Sequence, residues 1–338
     1  MAVVVNEVTG NRLPGRHLGG RLPGNGWGEM QRLVLAQAAE LCYPVPGMPG
    51  WCAVCRGPAR RGSAYCFQCD LHGQCAGGGL ADLVVPVALA LKGGPHAKRL
   101  WQYKSIPGPR NRELDGTAAS GEGLARDGYA GGPIAGMAGP KGWADDAMGR
   151  AGVAGHRDRG DEAASRAVAA AHAGRLLLAL LLVFLRDHGR CGWQRAGITW
   201  PPTHLAVVPS ARGRAGPHPL RALIGPYLSC NWTDLVARPD YQQARDLDPD
   251  RFAAAPVPGG RIVLLDDTWT TGASAQSAAM ALRRAGARSV ATVVLGRHIN
   301  PEFESIRTPG TGPPHAFYLK GMPYLLESCA VHADQAVR

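Results

Sequence analysis

The sequence has few aromatic residues, no long apolar run and no recognisable export signal. Aromatic residues make up only 6% of the 338 positions, so an extended stacking surface for nucleic-acid bases is not expected. The longest apolar stretch, 176–185, is shorter than the ~18 residues that a membrane span requires and predicts a buried core helix. The N-terminus lacks the basic start and apolar stretch of a secretion signal. These absences favour a cytoplasmic protein without membrane contact.

Lysine is also scarce, yet the chain is strongly basic. The 37 Lys and Arg residues exceed the 26 Asp and Glu residues, which gives a net charge of +11. Such a charge permits an acidic partner, either nucleic acid or a phosphorylated small molecule. Arginine far outnumbers lysine, and Ala, Gly and Pro are abundant. Because a GC-rich genome produces the same bias through its codons, charge alone leaves both explanations open.

Glycine and proline are concentrated in particular segments. Residues 1–28 and the Gly/Ala-rich segment 107–163 show no period, which predicts a disordered N-terminus and a flexible insertion. Residues 301–338 are weakly patterned and predict a C-terminal tail. Between them, 29–80 predicts one helix followed by a cysteine-rich knuckle. That helix, at 29–42, is predicted to share one apolar face among Leu33, Leu35, Ala36 and Leu41.

Residues 81–106 and 164–300 have the pattern of an α/β domain. Continuous apolar strands such as 261–265 alternate with predicted helices such as 163–188 and 219–229. This alternation predicts a parallel sheet flanked by helices on both faces.

One strand of this domain ends in two adjacent acids. Residues 261–274 read R-I-V-L-L-D-D-T-W-T-T-G-A-S, and ligands of parallel sheets bind outside the carboxyl ends of the strands. Asp266 and Asp267 are expected at that position. The turn after them offers hydroxyl groups, a glycine and the free N–H groups of a helix N-terminus, which attract anions. The residues predict a site for a phosphorylated sugar with a cis-diol, with the acids facing hydroxyl groups or a divalent metal.

The same stretch resembles the phosphoribosyl pyrophosphate signature of type I phosphoribosyltransferases, in which two acids precede Thr-Thr-Gly and a small hydroxyl residue. The resemblance implies that Asp266 and Asp267 bind the ribose hydroxyls and that Mg²⁺ accompanies the ligand. Thr268 and Trp269 depart from the pattern, and we expect neither to touch the phosphate-binding atoms. The residues implied to cradle the 5′-phosphate are Thr270, Thr271, Gly272, Ala273 and Ser274.

A second loop, within residues 204–220, follows an earlier strand. In the same superfamily the corresponding loop binds pyrophosphate, which implies this role for Ser210, Arg212 and Gly213, with Arg214 nearby. Arginine suits a diphosphate because its planar fork bonds two oxygens. A basic surface loop is the alternative explanation.

The cysteines predict a structural metal site. Cys52, Cys55, Cys66 and Cys69 form two C-x-x-C pairs separated by ten residues, and four thiolates close a tetrahedral zinc site without an open position. In a cytoplasmic chain this spacing favours zinc over disulfides. A redox pair or unliganded thiols are the alternatives, and Cys75 is an alternative ligand. The remaining cysteines are interpreted as separate core or surface thiols: Cys42, Cys191, Cys230 and Cys329.

A four-cysteine knuckle before such a domain resembles the ComF-like (competence protein F) family, over the cysteine segment, Tyr103-Lys104 and residues 204–300. The chain departs from the family by reading R-G-R-A-G-P-H-P where R-G-F-N-Q is usual, and by the insertion. The resemblance implies a protein that binds phosphoribosyl pyrophosphate or a ribonucleotide and transfers the phosphoribosyl group to a nitrogenous acceptor, releasing pyrophosphate. Asp267 would help to orient the substrate, and Arg212 and Lys104 would balance the pyrophosphate charge.

The alternative is a non-catalytic binding or regulatory protein. ComF-like proteins are associated with DNA uptake, and the knuckle, the basic charge, Trp101 and Tyr103 would suit single-stranded DNA, whose bases stack on aromatic rings. A degenerate domain with neither activity is a third reading. The sequence predicts neither the acceptor nor the oligomeric state.

Overall fold

The computed structural model describes residues 26–42, 44, 50–105, 159–198, 201–210, 218–238 and 246–300, together with Tyr324, Leu326, Cys329 and Val331. The predicted disordered N-terminus, flexible insertion and C-terminal tail lie almost entirely outside these residues. The chain divides into two compact units, Met1–Gly108 with Ala167–Arg338, and Pro109–Arg166. In the smaller unit the described residues, 159–166, are helical.

A five-stranded sheet forms the centre of the larger unit. Its strand order is β1-β7-β6-β2-β3, and every neighbouring pair is parallel. The predicted parallel α/β sheet is therefore confirmed. The strands are β1 Leu83–Leu91, β2 His204–Val207, β3 Asn231–Trp232, β6 Arg261–Trp269 and β7 Ser289–Ile299, and a separate antiparallel pair is formed by β4 Leu235–Ala237 and β5 Phe252–Ala254.

Six α-helices accompany the strands in the described residues. They are α1 Gly26–Ala36, α2 Phe67–Cys75, α3 Pro95–Gln102, α4 Arg159–Arg195, α5 Pro219–Ile224 and α6 Ala273–Arg284, with short 3₁₀ turns at Ala38–Glu40, Tyr103–Ser105 and Gly225–Tyr227. The predicted apolar face of the first helix was wrong in part. Leu35 is exposed, and Met30 and Val34, one helical turn apart, are buried instead.

Helix α4 is the core helix that the apolar run predicted, and residues 176–185 are buried throughout. Its segment Glu162–Gly189 is long and apolar enough to cross a membrane, but 72% of its most apolar part is buried inside the fold. The core helix of a soluble protein meets the same criteria. The helix is therefore weak evidence for a membrane span.

Hydrophobic layers cover both faces of the sheet. Val263 and Leu265 of β6 belong to the layer that contains α4, whereas Ile262 and Leu264 belong to the layer that contains α6. Successive side chains of a strand point to opposite faces, so one apolar strand contributes to both layers. This explains why β6 reads as a continuous apolar run rather than an alternating one.

The connections of the sheet reverse direction between β6 and β2. From β6 the chain passes through α6 to β7 on one side, and from β2 it passes through α5 to β3 on the other side. Crevices at such reversal points are where open α/β sheets bind ligands, outside the carboxyl ends of the strands. The topology thus marks the ends of β2 and β6.

Candidate functional site

The two acids lie at the carboxyl end of β6, beside the reversal point. Asp267 is buried, with 4% of its surface exposed, and Asp266 is half-buried. Because neighbouring strand residues face opposite sides of the sheet, the two carboxyl groups point in different directions. The structure gives each acid a different environment.

Asp267 is held as a carboxylate by three neighbours. The Tyr103 hydroxyl donates a hydrogen bond to its Oδ2, and the Lys104 Nζ lies 2.9 Å from its Oδ1. The His218 Nε2 lies 4.0 Å from Oδ2. Burial by itself would raise the pKa of Asp267, but Lys104, with help from Tyr103 and His218, outweighs this and holds the pKa below its ordinary value. Asp267 therefore carries its charge at neutral pH.

His218 is also oriented by the local backbone. Its Nδ1 accepts a hydrogen bond from the Leu220 N–H at 3.1 Å, where it caps α5. In the neutral ring this leaves the hydrogen on Nε2, the nitrogen that faces Asp267. His218 is therefore placed to donate toward the buried carboxylate.

Asp266 has the opposite electrostatic character. Burial, followed by the nearby charge of Asp267, raises the pKa of Asp266 from 3.8 to about 7. Its Oδ1 accepts the backbone N–H of Asp267 at 2.8 Å. An acid whose pKa is held low beside one whose pKa is raised toward neutrality is a pattern that active sites share with structural ion-pair networks.

The turn after β6 has the geometry that close approach to an anion requires. Gly272 has a φ of +85° and caps the N-terminus of α6, and the Thr271 hydroxyl accepts the N–H of Ala273 at 3.3 Å. The side chain of Trp269 also lies against this turn. Its buried ring packs so closely on Gly272 that a Cβ there would overlap it. The indole therefore shapes this turn.

The predicted pyrophosphate loop is only partly described. Hydrogen bonding from the Val208 N–H to the Leu265 carbonyl, at 3.0 Å, continues the pairing of β2 with β6, and Ser210 is half-buried just beyond it. The other residues of this prediction, Arg212, Gly213 and Arg214, lie outside the described residues.

The four predicted cysteines come together. Their Sγ atoms all lie within 4.8 Å of one another and all four residues are buried, whereas Cys75 is exposed and is not part of this group. The first pair is fixed by a tight turn in which the Cys52 N–H donates to the Gly57 carbonyl at 2.7 Å. In the second pair, the Cys69 N–H donates to the Cys66 Sγ at 3.4 Å.

The chemistry of this cluster fits a structural metal ion such as zinc. Hydrogen bonds from Cys52, and then from Cys66 and Cys69, hold the pKa of Cys55 well below its ordinary value, and Arg297 adds to this. Without a metal ion, hydrogen bonds from Cys52 and Cys55 raise the pKa values of Cys66 and Cys69. Thiolates are the form in which cysteine binds metals, and four of them close a tetrahedral zinc site. These four residues would hold the ion and leave it no open position.

Arg297 of β7 connects this cysteine cluster to the turn after β6. Its Nε donates to the Cys55 Sγ at 3.3 Å. Its Nη1 donates to the carbonyls of Trp269 at 3.2 Å and Thr270 at 3.0 Å. The guanidinium is buried, and a Cβ at Gly57 would overlap it. One buried cation therefore contacts both the cysteine cluster and the turn after β6.

The sequence interpretation missed several residues of the site. Arg297 carried a usable signal, because a charged residue inside the apolar strand β7 is rarely buried without a partner. Tyr103 was named only for its place in the ComF-like resemblance and for base stacking. Nothing in the sequence showed that it and His218 reach Asp267, from segments 164 and 49 residues away. Cys191 and Cys329 are free thiols, as expected, but the sequence did not show that they lie together. The structure brings both together with His188.

No protein-family model matches the sequence, and no curated protein matches it. The function proposed below therefore depends on the geometry of the site together with the resemblance of its motifs.

Proposed function

We propose that the chain binds phosphoribosyl pyrophosphate or a ribonucleotide with Mg²⁺ and transfers the phosphoribosyl group to a nitrogenous acceptor. The observation that carries the proposal is the end of β6. Two acids there precede a left-handed glycine and the N-terminus of a twelve-residue helix, at the point where the sheet connections reverse. The ComF-like resemblance, with its phosphoribosyltransferase fold, supports the same assignment.

The two acids have separate roles in this proposal. Asp266 is half-buried and engaged mainly by a backbone N–H, so it is the acid that faces a ribose hydroxyl or Mg²⁺, whose preferred ligands are oxygens. Asp267 holds Lys104 and Tyr103 in place. Lys104 is 37% exposed at its side chain and can turn from Asp267 toward an incoming diphosphate.

The transfer itself would depend on positioning and charge. A lone pair of the acceptor nitrogen forms a bond to C1 of the ribose as the bond from C1 to the pyrophosphate oxygen breaks, and pyrophosphate leaves with that electron pair. The turn 270–274 holds the 5′-phosphate, while Lys104 and Arg212 offset the charge of the leaving group.

A second candidate function is a ComF-like protein that binds single-stranded DNA. Trp101 of α3 is 70% exposed, and Lys98 belongs to the same helix, so a base could stack there beside a cation. Tyr103, the other aromatic residue considered for stacking, is fully buried against Asp267. The aromatic surface is thus reduced to one ring.

The deciding experiment is calorimetric titration of the purified full chain with phosphoribosyl pyrophosphate and Mg²⁺. We expect binding in the wild type and its loss in the Asp266→Asn/Asp267→Asn variant, with the fold checked by circular dichroism. Asp250→Asn is the matched control, because Asp250 is an exposed acid that contacts Arg284 at the other end of α6. A screen of acceptor bases for pyrophosphate release then follows.

No heat of binding in a folded, zinc-loaded wild type would rule out the transferase proposal. Titration with single-stranded DNA at several salt concentrations then tests the second candidate, since phosphate contacts weaken as salt rises. Trp101→Ala would reduce that DNA affinity and leave binding of phosphoribosyl pyrophosphate unchanged.

A further inference from the structure

A second group of metal-binding side chains lies at the end of α4. His188 and Cys191 come from the last turns of this helix, and Cys329 comes from the C-terminal segment. Their ligand atoms all lie within 4.8 Å of one another. His188 and Cys329 are buried, and Cys191 is half-buried. This group is separate in sequence from the four-cysteine cluster and from the acids of β6.

The histidine is oriented in the way that metal-binding histidines are oriented. The His188 Nε2 lies 2.6 Å from the Leu326 carbonyl oxygen, and a carbonyl only accepts, so Nε2 carries the hydrogen. In the neutral ring the lone pair is then on Nδ1, which is buried. Metal-bound histidines characteristically donate their second ring N–H to a carbonyl or carboxylate, which fixes the tautomer and the ring plane.

We propose that His188, Cys191 and Cys329 bind a Zn²⁺ ion at the end of α4. Imidazole and thiolate are ligands that suit zinc, and two cysteines with one histidine are a known three-ligand set that keeps a fourth position for water or another ligand. Residues three apart on a helix lie on one face, so His188 and Cys191 present their ligand atoms together. Ligand atoms around tetrahedral zinc are roughly 3.5–3.8 Å apart, and the present separations are at most 4.8 Å.

A disulfide between Cys191 and Cys329 is the competing explanation, and it accounts for less. It would use two of the three groups, and His188 would then only hydrogen-bond its neighbours, as it does with the Leu326 carbonyl. The four-cysteine cluster has the composition of a metal site, and a compartment that keeps those thiols reduced also keeps Cys191 and Cys329 reduced. The sequence continues from Cys329 to His332 with a C-x-x-H spacing. His332 lies outside the described residues, and the proposal depends on the three described side chains alone.

The ion would fasten the C-terminal segment to the core. Tyr324, Cys329 and Val331 are buried in the hydrophobic layer that contains α4, and Leu326 packs against it. A bond from α4 to Cys329 through zinc closes a loop of more than a hundred residues, and such cross-links stabilise a fold mainly by restricting the unfolded chain. The C-terminal segment would then depend on metal for its attachment.

Metal content of the full chain, purified under reducing conditions, tests the proposal. We expect two zinc ions per chain by mass spectrometric metal analysis. Cys191→Ser and Cys329→Ser should each reduce this to one, and Cys52→Ser should remove the other ion. Cys230→Ser is the matched control, because Cys230 is a half-buried cysteine outside both groups, and it should keep two. One zinc ion in the wild type would overturn the proposal, as would a mass decrease of two hydrogens per chain from a Cys191–Cys329 disulfide.

X-ray absorption on the zinc-loaded wild type gives a readout that no variant can confound by unfolding. With both sites filled, the average zinc shell contains nitrogen at about 2.0–2.1 Å as well as sulfur at about 2.3 Å. A shell of four sulfurs without nitrogen would refute the second site, because a four-cysteine cluster alone produces it.

Discussion

The raised pKa of Asp266 makes stability depend on pH in a way that one substitution should remove. Asp266→Asn keeps the oxygen that accepts the Asp267 N–H and cannot become charged. In the wild type the pKa of Asp266 is about 7 in the folded state, against an ordinary 3.8. The folded protein therefore retains this proton between pH 4 and pH 7 while the unfolded chain loses it. The stabilising contribution of Asp266 is therefore fully present below pH 4 and is lost as the pH rises through 7.

The size of the effect follows from the two pKa values. Their difference is about 3 units, and each unit corresponds to ~1.4 kcal/mol, so the largest loss is about 4 kcal/mol at pH 8. At pH 8 the Asp266→Asn variant should therefore have a free energy of unfolding higher than that of the wild type by about this amount, and at pH 4 the two values should differ little. For a domain of this size 1 kcal/mol shifts Tm by about 2–4 °C, and the variant should melt on the order of 10 °C higher than the wild type at pH 8.

Differential scanning calorimetry of both proteins at pH 4.5, 6 and 8, without ligand or Mg²⁺, is the appropriate assay. The quantity to compare is the Tm of the variant minus the Tm of the wild type at each pH. Asp250→Asn gives the reference for loss of an exposed carboxylate at the far end of α6. A Tm difference that stays constant from pH 4.5 to pH 8 would refute the raised pKa of Asp266. It would also refute the argument that Asp266 can exchange a proton or a cation near neutral pH.

Three further predictions concern the neighbours of this pair. Gly272→Ala should abolish phosphate binding. It should also lower the free energy of unfolding by more than the ~1–2 kcal/mol of a left-handed alanine, because the added methyl group meets the Trp269 indole ring. Gly62→Ala is the control in thermal melts, because Gly62 has a φ of +72° with open space around it and should show the backbone cost alone. Tyr103→Phe removes a donor to Asp267, and the pH profile of ligand binding by calorimetry should shift toward higher pH. Arg297→Met should lower the free energy of unfolding by about 3–5 kcal/mol, measured by urea titration. It should also weaken zinc retention and phosphate affinity together. A variant that loses only zinc retention or only phosphate affinity would contradict the shared role of Arg297.

Local patterns predicted the parts of the fold and site that depend on neighbouring residues. The continuous apolar runs of β6 and β7 predicted a sheet covered on both faces, and the spacing of the four cysteines predicted their convergence. The position of the acids followed from the strand that precedes them. These features can be predicted without knowing which distant segments meet, because strand burial, turn chemistry and ligand spacing each depend on a stretch of about twenty residues.

The remainder of the site depends on contacts between distant segments. The sequence could not show that Asp266 and Asp267 differ. Burial and the charge of Asp267 raise the pKa of Asp266, whereas Lys104, Tyr103 and His218, from two other segments, outweigh the effect of burial on Asp267. The convergence of His188 with Cys329 required α4 and the C-terminal segment to meet. The exposed side of α1 was misjudged for a local reason, because the helix ends at Ala36 and its buried face follows Met30 and Val34.

The position of Arg297 in the chain constrains the order in which the site can be assembled during synthesis. The cysteine cluster and the turn after β6 are both translated before β7, and Arg297 follows Cys55 by 242 residues. A nascent chain that ends before β7 has all four cysteines of the cluster and every residue of the turn but lacks the cation that both of them contact. The contact that joins the cluster to the turn therefore forms only after β7 has been made. Shortened forms of this protein that lack β7 would retain the motifs in sequence and lose the contact that joins them.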